Sequence, residues 1–125
     1  MYLKSYKELI VWKKSIQLVK EVFLLTKKFP QSEVYGLSSQ MRRAAVSIPS
    51  NIAEGYGRKS QKEYAQFYSI AYGSALELET QLIISLELEI GKKEEIVHAQ
   101  LLLEKVLKML NVMVSRLSST SSTRR

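Results

Sequence analysis

The 125-residue sequence has no cysteine and no aspartate, a single histidine, a single tryptophan and only two prolines. Without cysteine there is no disulfide framework, no thiolate metal site and no cysteine nucleophile, a composition that fits a reducing compartment. Without aspartate, a nucleophilic triad would have to be assembled from His98 with serine and glutamate alone. A ferritin-like metal site needs two Glu-x-x-His motifs, whereas Glu95 and His98 supply one such spacing and no second copy exists. No glycine-rich phosphate loop is present, and His98 reads as a surface or boundary residue. These absences argue against an enzyme and against a bound metal or cofactor. Long apolar runs are also missing. The N-terminal LIVW run is too short for a signal peptide, and nothing approaches the roughly 20 apolar residues of a membrane span. A cytoplasmic protein with no membrane association is the expectation.

What is present is charge and helical periodicity. Nineteen Lys and Arg against twelve Glu give a net charge of +7. Residues 1–62 carry twelve basic and four acidic side chains, and residues 63–125 seven and eight. An electropositive face that attracts phosphate polymers or an acidic surface is one reading of this asymmetry, and simple solubility is the other.

The apolar spacing predicts four helices. Ser5 and Glu8 read as a capping box opening the first, with Leu9, Trp12, Ile16, Val19 and Phe23 facing the core and Phe29 followed by Pro30 ending it. Gln31 or Ser32 opens the second, whose apolar set is Val34, Leu37, Met41, Ala44, Ala45, Ile48 and Ile52. Pro49 should kink this helix or divide it in two, and Gly55 and Gly57 should break it through positive φ. A second capping box, Ser60 with Glu63, starts the third helix, which is expected to run to Ile90 with Tyr64, Phe67, Ala71, Ala75, Leu78, Leu82 and Leu86 inward and Gly91 as its stop. Small residues at Gly73, Ser74 and Ala75 permit close approach of another helix. The fourth begins near Lys93 and presents Ile96, Ala99, Leu103, Val106, Leu110, Met113 and Leu117. The pattern specifies an all-α, antiparallel up-down-up-down four-helix bundle as one domain over residues 1–118, with 119–125 a disordered basic tail. Apolar residues off these seams, among them Tyr2, Tyr6, Tyr68, Tyr72, Leu102 and Leu107, suit either wide core stripes or a second buried face in an oligomer.

Residues 41–58, MRRAAVSIPSNIAEGYGR, depart most from an ordinary core helix. With Arg43 at zero on a helical wheel, Glu54, Ser47, Gln40, Asn51 and Glu33 fall between about 20° and 80°, the apolar set centres near 150°, and Arg42 lies near 260°. One reading makes Arg43 and Glu54 a half-buried pair, completed by Glu33, Gln40, Ser47 and Asn51 as a polar packing network, with Arg42 directed outward. The other presents Arg42, Arg43, Arg58 and Lys59, supported by Lys13 and Lys14, to nucleic-acid phosphates, with Tyr35 and Tyr56 available for stacking. The remaining adjacent pairs, Lys27 with Lys28 and Lys92 with Lys93, read as solvated surface.

The segment EVYGLSSQMRRAAVSIPSNIAEGYGR (33–58), followed by FYSIAYGSALELETQL (67–82), resembles the 23S rRNA-intervening-sequence proteins, and VWKKS (11–15) and Phe29 with Pro30 fit the same family. The resemblance spans roughly residues 8–118. It implies a four-helix bundle assembled as a ring-like homopentamer, and distant kinship with accessory variability proteins of diversity-generating retroelements, whose basic pentamers bind nucleic acid and a reverse transcriptase. The motif residues it carries over are Glu33, Tyr35, Leu37, Gln40, Arg42, Arg43, Ser47, Asn51, Glu54, Gly55 and Arg58. The expected function is therefore a non-catalytic homo-oligomer that binds RNA or DNA. The alternative is an interaction scaffold or accessory subunit for a protein partner.

Overall fold

In a computed structural model of the chain, residues 5–123 are described, with side chains as far as residue 116. Tyr2 and the last two arginines lie outside them. Four helices account for the fold: α1 (Ile10–Lys27), α2 (Leu37–Tyr56), α3 (Gln61–Glu87) and α4 (Lys93–Thr123), with short 3₁₀ turns at Tyr6–Glu8 and Gln31–Glu33. No strand occurs among the described residues, and no helix there is long and apolar enough to cross a membrane. Each helix packs on its neighbours in sequence, and α1 closes on α4. The backbones of the diagonal pairs, α1 with α3 and α2 with α4, do not come close, which is the square cross-section of an up-down-up-down bundle.

The core is one cluster fed by all four helices. Leu18, Met41, Ile48, Ile52, Leu78, Leu82, Ile96, Leu103 and Leu110 are fully buried. Each such side chain contributes about 1.5–3 kcal/mol relative to exposure. On α2 and α4 the buried residues are largely those the periodicity predicts, except that Val34 precedes α2 and is exposed. On α1 they are not, because the core face is Val11, Ser15, Leu18, Val22 and Leu25. Of the predicted stripe, Leu9, Trp12 and Val19 are half-buried, while Ile16 and Phe23 are exposed. Polar residues disguise the true face. Ser15 occupies a core position by donating its hydroxyl to the Trp12 carbonyl at 2.8 Å, and Thr26 does the same to Val22 at 2.7 Å. On α3, Tyr68 takes the buried place expected of Phe67, which is half-buried.

The helix ends differ from expectation in instructive ways. Ser5 Oγ accepts from Lys7 N and caps the first 3₁₀ turn; α1 starts only after Leu9, whose backbone is extended. Helix α2 starts at Leu37 after Gly36, not near Ser32, because the chain from Gln31 closes a 3₁₀ turn first. Pro49 does not divide α2: the helix runs through it, with Pro49 buried and facing Trp12, Ile16 and Val19 of α1. The Ser60 cap forms as predicted, accepting from Glu63 N at 3.2 Å.

Gly57 caps α2 at φ −79°, so this end needs no left-handed residue. Gly55 lies inside the helix for a steric reason: a Cβ there would sit 3.1 Å from Phe67 Cβ and from Tyr68 Cε1. By contrast, a Cβ at Gly73 would meet nothing within 4 Å, so its small size is not what brings α3 to its neighbours. Helix α3 ends at Glu87, three residues early, in a Schellman motif: Glu89 N donates to Leu86 O at 3.1 Å and Ile90 N to Ser85 O at 2.9 Å. Glu89 itself holds the left-handed position, φ 55°, and Gly91 follows at φ 88°. At the far end α4 remains helical to Thr123, since 118–123 contains no glycine or proline to stop it; the predicted tail otherwise falls outside the described side chains.

Candidate nucleic-acid interface

Antiparallel packing brings the start of α1, the end of α2, the start of α3 and the distal half of α4 to one end of the bundle. Side chains fix this register. Tyr6, Trp12 and Ile16 line a groove with Val46, Pro49, Ser50 and Ala53; Ser47 Oγ meets Ser74 Oγ at 2.8 Å; Lys28 Nζ meets Glu95 Oε2 at 2.8 Å at the opposite end. The half built from residues 5–18, 47–74 and 104–116 carries nine Lys and Arg against four Glu, a net charge of +5. The half built from 19–46 and 75–103 carries seven against eight, a net charge of −1. A division along the sequence thus becomes a division between the ends of the molecule, a stronger arrangement for steering a polyanion.

Lys13, Lys14, Arg58 and Lys59 all belong to the basic end, joined by Lys7, Lys62, Lys105, Lys108 and Arg116, which sequence reasoning missed. Their signal was topological, since only the up-down-up-down order reveals that they share an end. Arg58 lies in a defined setting. Its Nη2 donates to Glu54 Oε2 at 2.9 Å, and its guanidinium carbon sits 4.5 Å from the Phe67 ring centre.

Arg42 and Arg43 lie in the other half and exchange the roles the helical wheel gave them. Arg42 is half-buried: its Nε donates to Thr26 Oγ1 at 2.8 Å and its guanidinium covers the Phe23 ring at 4.8 Å, tying α2 to α1. A helix in a square bundle has neighbours on two flanks, so a direction about 110° from the core centre can still meet protein. Arg43 is exposed and does not pair with Glu54. Their shared wheel angle concealed eleven residues of rise, about 16 Å along the axis.

The predicted polar network is accordingly smaller. Asn51 Nδ2 donates to the Ser47 carbonyl at 2.8 Å and to Ser47 Oγ at 3.0 Å, and Ser47 reaches across to Ser74. Gln40 and Arg43 line an open cleft of about 470 Å³ beside this cluster, with Ala44, Ser74 and Glu77, rather than completing it. Glu33 lies apart in the second 3₁₀ turn, and Glu54 is engaged by Arg58. His98 is a surface residue, its Nδ1 2.7 Å from Glu21 Oε1 across the α1–α4 interface.

Aromatic side chains gather where α2 turns into α3. Tyr35, by contrast, is 97% exposed at the opposite end. Tyr68 is buried, and desolvation together with the nearby Tyr64 and Tyr56 raises its phenol above the usual value of 10.0. Phe67 and Tyr68 close against the bare Cα of Gly55. The motif around Gly55 therefore builds an aromatic corner under the basic end.

Residues 7–112 match the family model described as 23S rRNA-intervening sequence protein. Among solved structures, the chain is similar to a protein of unknown function from the S23 ribosomal protein family of Bacteroides thetaiotaomicron. That similarity has a TM-score of 0.78 at 23% identity and covers 84% of this chain and 98% of the other. It shows a shared fold. No match is found among curated proteins.

Proposed function

The chain belongs to the 23S rRNA-intervening sequence protein family, and from that premise we propose that it is a non-catalytic, self-assembling four-helix bundle that binds nucleic acid, RNA foremost, through its basic end. The observation that carries the reading is the net charge of +5 gathered at that end, against −1 at the other. Lys13, Lys14, Arg58 and Lys59 supply phosphate contacts, while Arg42 serves as a strut between helices. Self-assembly is supported by the apolar groove between α1 and α2, a recess of about 330 Å³ lined by Trp12, Ile16, Val19, Val46 and Pro49, with Ile16 and Val46 exposed. A pentameric ring is the state that the family resemblance implies.

The same groove favours a second reading, in which the bundle captures a protein partner such as a reverse transcriptase and has no direct nucleic-acid role. Fluorescence anisotropy against structured RNA across a salt series separates the two. Phosphate binding weakens linearly in log–log form as salt rises, and charge reversal at Lys13 and Lys14 abolishes much of it. A flat or absent response rules out the nucleic-acid reading. Light scattering with and without RNA reports assembly in the same samples, and a monomer at all concentrations removes the self-assembly part.

A further inference from the structure

We propose that the turn between α2 and α3 is a stacking platform for an unpaired nucleobase, so that the basic end binds single-stranded RNA in preference to duplex; the inference rests on the nucleic-acid reading above. Its centre is Arg58. The guanidinium lies over the Phe67 ring at 4.5 Å, is fastened by the Glu54 carboxylate at 2.9 Å, and its side chain remains 41% exposed. The guanidinium is thus backed by an aromatic ring while its side chain keeps substantial contact with solvent. Arginine planes and aromatic rings are the two surfaces on which proteins stack splayed-out bases.

The platform is rigid for reasons that are independent of any ligand. The root of the Phe67 side chain is held by close helix packing, its Cβ standing 3.1 Å from where a Cβ at residue 55 would lie, and Tyr68 packs buried beside it. Arg58 N donates to Gly55 O at 3.1 Å, which fixes the start of the side chain as well as its tip. Such pre-organisation lowers the cost of binding a base. Exposed lysines follow Arg58 closely in the chain, at 59 and 62, and add positive charge to the same turn. A duplex keeps its base faces covered and offers this corner only phosphates, so the aromatic plane contributes nothing to binding it.

Anisotropy titrations with a short unstructured RNA strand and with an RNA duplex of the same length test the proposal. Arg58→Lys keeps the charge and removes the plane. It should lower single-strand affinity by about tenfold and duplex affinity by far less, since the charge that meets phosphate is kept. Phe67→Leu should act in the same direction, and circular dichroism melting establishes that each variant is folded; should Phe67→Leu fail to fold, Arg58→Lys decides alone. Lys59→Ala should weaken both probes and reduce the salt slope by about one. If Arg58→Lys weakens both probes equally, or neither, the platform is refuted while the basic-end reading survives. If the wild-type protein binds neither RNA, both fall.

Discussion

The two ends of the bundle use glycine for opposite purposes. Where α2 meets α3, Gly55 and Gly57 have ordinary backbone angles, and Gly55 suits a close helix approach because Phe67 and Tyr68 stand 3.1 Å from where its Cβ would lie. Where α3 meets α4, Gly91 adopts φ 88° and Glu89 adopts φ 55°, so the backbone itself turns left-handed. The ends differ in charge as well, one strongly basic and the other close to neutral. One turn is thus organised by side-chain packing and the other by backbone conformation, and substitutions should distinguish them.

The largest effect is expected at Gly91. Alanine there meets both a left-handed backbone and Phe29 Cε1 at 2.5 Å, a buried ring with little room to retreat. Gly91→Ala should cost about 2–4 kcal/mol, measurable as a lowered midpoint of urea unfolding. A loss under about 0.5 kcal/mol would show that the turn can relax. Gly55→Ala should come next, at about 0.5–2 kcal/mol, because crowding of Phe67 and Tyr68 outweighs the roughly 1 kcal/mol that alanine gains over glycine inside a helix. If it proves neutral, the close approach at the basic end is not a constraint. The smallest effect runs the other way. Glu89→Gly relieves a non-glycine residue of positive φ and should stabilise by about 0.5–1 kcal/mol in the same assay, with no change in RNA affinity because Glu89 lies at the end remote from Arg58.

Much of this fold could be read directly from periodicity. The core residues of α2 and α4, the Ser60 cap and the order of four helices follow from spacing and punctuation alone. The α1 core face escaped because Ser15 and Thr26 satisfy their hydroxyls on the backbone one turn back, which lets polar residues occupy buried positions. Glu89 escaped because a Schellman motif usually spends a glycine at that position, and Gly91 two residues later drew the boundary to itself. The candidate interface was only half legible. Lys13, Lys14, Arg58 and Lys59 were identifiable as basic residues, but nothing in the linear order joins α1 to the α2–α3 turn. Arg42 and Arg43 were exchanged because a wheel projects one helix in isolation, without its flanking neighbours or its axial rise.

By itself the sequence determined that this is an all-α bundle, since apolar residues recurring on one helical face have no other way to leave water, and it fixed a net positive charge. Tertiary structure decided where that charge resides, which arginine is a strut, and why a side chain at residue 55 would crowd α3. Those properties belong to pairs of residues on different helices. Their partners are set by the register of packing, which a periodic pattern along one chain does not contain.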